Sequence, residues 1–74
     1  MKVLLFGVLA EVVGKSKLEI TSGDIDSLKR DLLKEFPELN KYRFQIAVNK
    51  EKEEKNILLN EADEIALLPP YAGG

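Results

Sequence analysis

The spacing of apolar residues changes along the chain and predicts a strand followed by a short helix. Residues 2–6, Lys-Val-Leu-Leu-Phe, are apolar at nearly every position, which is typical of a strand covered on both faces. Gly7 is expected to end this strand. Residues 8–13 carry apolar side chains at helical spacing, and Gly14 follows at the position of a left-handed C-cap. The first segment therefore predicts a central strand and then one or two turns of helix.

The next segment predicts a half-buried strand and the main helix. Residues 17–20, Lys-Leu-Glu-Ile, alternate polar and apolar, as a strand with one face inward does. Asp24 is suited to cap a helix, since its carboxylate can accept from the backbone amides of the first turn. Apolar residues then recur at intervals of three and four from residue 25 to residue 36, which indicates an amphipathic helix. Pro37 is expected to end it.

The last third predicts two strands separated by a polar hairpin. Residues 44–48, Phe-Gln-Ile-Ala-Val, have the composition of a strand. Residues 49–55 are densely charged with both signs, which favours a solvated hairpin or a weak edge strand over a binding site. A polar turn at 60–64 precedes the apolar run 65–68, and Pro69 stops that run.

The order of these elements predicts a β-grasp fold of the α+β class. We expect a mixed sheet of four to five strands, crossed by one main helix and accompanied by a short helix. Because the first and last strands are both continuously apolar, they should lie side by side and parallel in the middle of the sheet. Residues 1–68 would form this domain, and residues 69–74 a flexible C-terminal tail.

Alternation along the two central strands predicts an apolar patch on the sheet face away from the main helix. One set of side chains covers the helix side: Val3, Leu5, Ile65 and Leu67. The other set is left without a second helix to cover it: Leu4, Phe6, Ala66 and Leu68. Such a patch beside a tail favours a partner interface, although loops of the same chain could also cover it.

The tail itself has the composition of a reactive arm. Gly73 and Gly74 have no side chains, so another protein's active site can close around the terminal carboxylate. Pro69 and Pro70 favour a stiff, extended base, and Tyr71 and Ala72 connect that base to the glycines, in positions to guide the tail. A frayed terminus without function is the simpler interpretation of a Gly-Gly end alone, but it does not account for the prolines.

Composition excludes several functional classes. The 74 residues contain neither cysteine nor histidine, which excludes disulfides, thiolate or imidazole metal sites and cysteine nucleophiles, and removes the usual general base. We therefore expect no bound metal or cofactor. A net charge of −2 gives no electrostatic reason to bind nucleic acid or an anionic membrane. We expect a cytoplasmic protein that acts through protein partners.

Several segments, taken together, resemble the small subunit of molybdopterin synthase, a family of ubiquitin-like sulfur carriers. They are the opening strand with the Glu-Val-Val-Gly end of the first helix, the Ala-Val-Asn exit at 47–49, and the segment from Asp63 through Pro-Pro to Gly-Gly. The combination in this order is more specific than any segment alone. Ala62 departs from the glycine common in that turn, and Tyr71 is bulkier than the residues usual at its position.

The resemblance implies a sulfur carrier that is one part of a sulfurtransferase and has no complete active site of its own. An E1-like adenylating enzyme would use ATP and Mg²⁺ to activate the Gly74 carboxylate, and a sulfur donor protein would convert it to a thiocarboxylate. The carrier would then bind the large synthase subunit, in a heterotetramer, and deliver sulfur to cyclic pyranopterin monophosphate. Gly74 and Gly73 would be the reacting end of the chain.

Three alternatives remain open at the level of sequence. A sulfur carrier for the thiazole of thiamine and a ubiquitin-related modifier share the same terminal chemistry. The Pro-Pro pair favours the molybdopterin branch, because the thiamine carriers usually lack it. A β-grasp interaction domain with an inert tail would use only the apolar patch.

Overall fold

Two strands from opposite ends of the chain lie parallel at the centre of one five-stranded sheet. The computed structural model describes residues 1–69. In chain order the elements are β1 (Lys2–Leu5), α1 (Val8–Val13), β2 (Lys17–Glu19), α2 (Ile25–Glu35), a 3-10 helix (Pro37–Lys41), β3 (Gln45–Val48), β4 (Glu51–Glu53) and β5 (Glu64–Leu68). The sheet order is β2-β1-β5-β3-β4, with β1 and β5 parallel and every other neighbouring pair antiparallel. The predicted β-grasp fold with a mixed sheet is confirmed.

The core lies between the sheet and the two α-helices. Val3, Ile65 and Leu67 have no exposed surface, and Leu5 is 3% exposed, as expected for the helix side of the central strands. The buried residues of the helices join the same cluster: Leu9, Ile25, Leu28 and Leu32. None of the helices found among residues 1–69 is long and apolar enough to cross a membrane.

The helix boundaries follow the capping residues that the sequence indicates. Asp24 has extended backbone dihedrals, and its Oδ1 accepts from the Ser27 amide at 2.8 Å, so it is the N-cap of α2. Gly14 has φ 83° and ends α1 in the left-handed conformation, while its amide donates to the Ala10 carbonyl. Both predicted caps are confirmed.

The hydrophobic pattern does not predict the 3-10 helix Pro37–Lys41. Its signal is weak because the segment holds only two apolar residues, Pro37 and Leu39, among three polar ones. Leu39 is nevertheless fully buried and belongs to the core cluster. The turn following α2 therefore contributes to the core instead of acting as a simple connection.

The charge-rich segment forms a tight hairpin with an edge strand. Val48 and Glu51 are partners in the β3–β4 ladder, so Asn49 and Lys50 are the two turn residues. Both have positive φ, 51° and 73°, as a type I′ turn requires. Glu51 and Lys52 of β4 are exposed at the sheet edge and Glu53 is partly exposed, and charged side chains there discourage further strand pairing.

Ala62 lies in a turn whose backbone does not require glycine at this position. Among the described non-glycine residues only Asn49 and Lys50 have positive φ, so Ala62 adopts an ordinary conformation. The Asp63 amide donates to the Asn60 carbonyl at 3.0 Å, and Asp63 Oδ2 accepts from the Asn60 amide at 2.9 Å. These two bonds close the turn that leads into β5.

Candidate functional site: the open sheet face and the base of the tail

The sheet face that points away from α2, called the open face below, carries a continuous row of side chains across all five strands. In the β1–β5 register Leu4 lies opposite Ala66, and in the β3–β5 register Ala66 lies opposite Ala47. Lys17 is the partner of Leu4 on β2, and Lys52 is the partner of Ala47 on β4. Because paired residues point to the same face of a sheet, the row has an apolar centre with a lysine at each end.

The apolar patch comprises Leu4, Phe6, Ala47, Ala66 and Leu68. Phe6 is 45% exposed, a large value for an aromatic side chain, and Leu4, Ala66 and Leu68 are partly exposed. Ala47 is only 4% exposed, so the patch is buried at Ala47 and most exposed at Phe6.

The end of β5 brings the patch to the point where the tail begins. The Phe6 amide donates to the Leu67 carbonyl at 3.3 Å, which extends the parallel pairing one residue beyond the end of β1. Leu68 lies on the open face, opposite Gln45 of β3, and Pro69 follows directly. The tail therefore leaves the fold beside Phe6 and Leu68.

The remaining predicted site residues lie outside the described part of the chain. They are Pro70, Tyr71, Ala72, Gly73 and Gly74. Their roles in positioning and in chemistry stay predictions.

Two carboxyl groups, those of Asp24 and Asp63, have pKa values below the ordinary value, and both stabilise local structure. The amide of Ser27, followed by the Ser27 and Asn56 side chains, lowers the pKa of Asp24. The amide of Asn60 and then the side chain of Asn49 lower the pKa of Asp63. Both groups cap or close a turn, and a carboxylate held ionised in this way is unsuited to general acid catalysis.

The described residues offer no assembled metal centre. Residues 1–69 hold no cluster of three or more carboxylate, imidazole or thiolate side chains that could ligate an ion. The sequence has no cysteine or histidine at all.

Sequence reasoning missed the part that three residues play in this region. Ala47 completes the patch, and the alternation of Gln45 and Ala47 with Ile46 and Val48 on β3 carried that information once the register was known. Asn49 joins the β3–β4 turn to the start of β5: its amide donates to the Glu64 carbonyl at 2.8 Å, and its Oδ1 accepts from the Glu64 amide at 3.0 Å. Gly7 is the third, since it lies against Pro69.

Known proteins resemble this chain along nearly its whole length. A molybdopterin synthase sulfur carrier subunit from Dictyostelium discoideum is 32% identical, over 99% of this chain and 94% of that protein. The solution structure of the small archaeal modifier protein 1 from Methanosarcina acetivorans has a TM-score of 0.83 at 26% identity, covering 99% of this chain and 94% of its own.

A third similarity is to a chain in a complex. The structure of subunits 1 and 2 of molybdopterin-converting factor from Helicobacter pylori contains a chain with a TM-score of 0.72 and 30% identity, over 99% of this chain and 96% of that one.

The model of the ThiS family matches residues 3–74, which includes both the sheet and the Gly-Gly end. With its ubiquitin-like β-grasp fold and this nearly complete match, the chain belongs to the ThiS family.

Proposed function

We propose that this protein is the sulfur carrier of a molybdopterin synthase. The observation that carries the proposal is the full-length similarity to a molybdopterin synthase sulfur carrier subunit, together with a family match that runs through Gly74. The open apolar patch beside the start of the tail supports it, since a carrier must bind a partner and present its terminus at the same time.

The reacting group in this proposal is the α-carboxylate of Gly74. A carboxylate resists nucleophiles, so an E1-like enzyme first joins it to the α-phosphate of ATP, with Mg²⁺ offsetting the phosphate charge, and pyrophosphate leaves. A sulfur nucleophile from a donor protein then attacks the acyl-adenylate carbon and AMP leaves. When that nucleophile is a persulfide, the product is an acyl disulfide; a thiol then attacks the donor's sulfur and breaks the S–S bond, so Gly74 ends in a thiocarboxylate and the donor and the thiol are left joined by a disulfide. ATP and Mg²⁺ belong to the activating enzyme.

The large subunit of the synthase completes the active site. The carrier has no histidine or cysteine, so the acid, base and phosphate-binding groups that act on cyclic pyranopterin monophosphate must come from that partner. The carrier binds it through Leu4, Phe6, Ala66 and Leu68, and the tail enters its catalytic pocket. The thiocarboxylate sulfur bonds to the precursor, and water then attacks the Gly74 carbonyl carbon and breaks its bond to sulfur, which leaves sulfur on the precursor and regenerates the Gly74 carboxylate.

The tail residues bring the Gly74 carboxylate to the partner's active site. Gly73 and Gly74 are slim enough to enter a narrow channel, and Pro69 and Pro70 restrict the directions available at the base. Tyr71 and Ala72 span the distance between base and reacting end. Presenting the thiocarboxylate in one geometry raises the effective concentration of sulfur at the acceptor.

A second candidate is a protein modifier, which the similarity to the archaeal modifier favours. That structure superposes with a TM-score of 0.83, compared with 0.72 for the chain from the converting-factor complex. A modifier shares the adenylated glycine but transfers its carbonyl carbon to an amine instead of giving up sulfur. A carrier for thiamine thiazole shares the thiocarboxylate and differs only in the acceptor.

Intact mass spectrometry followed by reconstitution tests the proposal. Incubation with the activating enzyme, ATP and a sulfur donor should add about 16 Da, as one terminal oxygen is replaced by sulfur. The product, mixed with the purified large subunit and the pterin precursor, should yield molybdopterin and return to its original mass. No mass change would reject the carrier model, and a thiocarboxylate that serves only thiazole formation would reject the molybdopterin assignment. Attachment of the intact chain to lysine would favour the modifier.

A further inference from the structure

Gly7 adopts a backbone conformation that depends on the absence of a side chain. It lies between β1 and α1 with φ 56° and ψ −134°. The Leu9 amide donates to the Phe6 carbonyl at 3.2 Å, which closes a four-residue turn with Gly7 at its second position. Positive φ at that position is a glycine preference, as in turns of type II′.

The same turn lies against the first residue of the tail. A Cβ atom on Gly7 would lie 3.2 Å from Cγ and 3.9 Å from Cβ of Pro69. Carbon atoms at their best packing distance are about 3.5–4.0 Å apart, so a methyl group at position 7 would push the proline ring outward. Gly14 also has positive φ, 83°, but a Cβ there would meet nothing within 4 Å.

The hydrogen bonds found here among residues 1–69 are made by the neighbours of Pro69 and not by Pro69 itself. The last bond of the parallel pairing runs from the Phe6 amide to the Leu67 carbonyl, and the Phe6 carbonyl accepts from Leu9. Proline has no N–H with which to continue the ladder. Packing against Gly7 is one contact that can fix the proline ring where the chain leaves the sheet.

We propose that Gly7 is a positioning residue, which sets the direction of the tail by allowing the β1–α1 turn to close against Pro69. The proposal rests on the proposed function, because the direction matters only if Gly74 must reach a partner's active site. Five residues follow Pro69 and can span at most about 17 Å, so a small displacement of the ring changes which points Gly74 can reach. Misplacing a reacting group by about 1 Å can cost a hundredfold in rate.

The test compares Gly7→Ala with Gly14→Ala, since both add one methyl group at positive φ and only the first meets the tail. Each variant is prepared directly as the thiocarboxylate, which bypasses the activating enzyme, and is bound to the large subunit. Gly7→Ala should transfer sulfur about three- to tenfold more slowly at an unchanged Kd. Gly14→Ala should stay within twofold of the wild type. Equal transfer rates for the two variants would overturn the proposal.

A double-mutant cycle with Pro69→Ala separates the contact from backbone strain. Removing the Pro69 ring takes away the atom that the methyl group added at position 7 meets, so Gly7→Ala should slow transfer less in the Pro69→Ala background than in the wild type. Additive effects would show that Gly7 acts only through its own turn. If Gly7→Ala does not fold, Pro69→Ala alone removes the contact while leaving the turn intact, and wild-type transfer by that variant would also overturn the proposal.

NMR of the free protein tests the contact between Gly7 and Pro69 independently of the proposed function. The Gly7 α protons and the Pro69 ring protons should give a cross-peak in the wild type, and Gly7→Ala should shift the Pro69 ring signals while Gly14→Ala leaves them in place. A wild-type thiocarboxylate that transfers no sulfur would reject the proposed function. The NMR result would then decide the Gly7 contact by itself: a missing cross-peak or unshifted signals would reject it.

Discussion

Leu4 lies directly opposite Ala66 in the parallel pair of β1 and β5, and this pairing places the apolar patch at the centre of the open face. Their chain neighbours Leu5 and Leu67 form the next pair and point into the core. One pair thus belongs to a surface and the next to the interior. The two central strands serve stability with one face and, in the proposed function, binding with the other.

Replacing Phe6 with aspartate should weaken binding to the large subunit. Burying an unpaired charge in an apolar interface is costly, and we expect a loss of about 2 kcal/mol or more, roughly thirtyfold in Kd. Leu58→Asp is the matched control, because Leu58 is 84% exposed and lies on the loop bridged to Asp24, outside the patch. Calorimetric titration with the large subunit measures both. Equal Kd values for the two variants would place the interface elsewhere.

Alanine substitutions of two adjacent leucines on β5 should affect different properties, one mainly stability and the other mainly partner binding. Leu67 is fully buried, so Leu67→Ala should lower the free energy of unfolding by about 2–5 kcal/mol, a large share of what a small domain possesses. Leu68 is partly exposed on the open face, and Leu68→Ala should lower stability less while weakening partner binding. Urea denaturation and binding titrations of both variants check this. A greater loss of stability in Leu68→Ala would contradict the assignment of faces.

Changing the length of the tail should abolish sulfur transfer without unfolding the protein. Deleting Gly74 removes one residue of reach, and adding an alanine after it displaces the carboxylate and gives it a side chain. Thiocarboxylate formation is followed by mass spectrometry, and circular dichroism checks that the fold is retained. Wild-type transfer by either variant would be incompatible with a carrier whose working group is the Gly74 carboxylate.

Lys50→Gly should stabilise the β3–β4 hairpin. Lys50 has φ 73°, and a left-handed conformation costs a residue with a side chain about 1–2 kcal/mol, whereas glycine adopts it freely. Part of this gain is offset by the greater freedom of glycine in the unfolded chain, so we expect a net increase of about 0.5–1 kcal/mol. Thermal unfolding measures the change. Lys52→Gly, within β4, is the control and should destabilise.

Acid should destabilise the protein through Asp24 and Asp63. Hydrogen bonds lower the pKa of both carboxyls below the ordinary value of 3.8, so the folded state binds protons less readily than the unfolded chain. Their contribution is fully present above the unfolded pKa and is lost as the pH falls through the lower, folded values. The free energy of unfolding, measured from pH 5 to pH 2, should fall more steeply for the wild type than for the double variant Asp24→Asn, Asp63→Asn. Parallel curves would exclude these two groups as the source.

Much of the fold could be predicted because local rules and tertiary packing agree. Asp24 caps α2 and Gly14 ends α1 as their residue types indicate, and the apolar runs at both ends of the chain pair in the centre. Leu39 could not be found in this way, since one leucine among polar neighbours has no periodicity. The sequence placed Asn49 only at the end of a strand. Its hydrogen bonds to Glu64 could not be predicted, because they join residues fifteen positions apart.

The sequence by itself determined which chemistry to propose: with no histidine and no cysteine, the terminal glycines are the candidate for the reacting group. Alternation along the apolar runs 2–6 and 65–68 also assigned Leu4, Phe6, Ala66 and Leu68 to one face. The tertiary structure decided which distant residues join them. Ala47 enters the patch through the register of β3 against β5, and Gly7 meets Pro69 because parallel pairing brings the end of β1 beside the end of β5. Side-chain alternation is local and can be read along one strand, whereas register and close packing arise only when strands far apart in the chain are brought together.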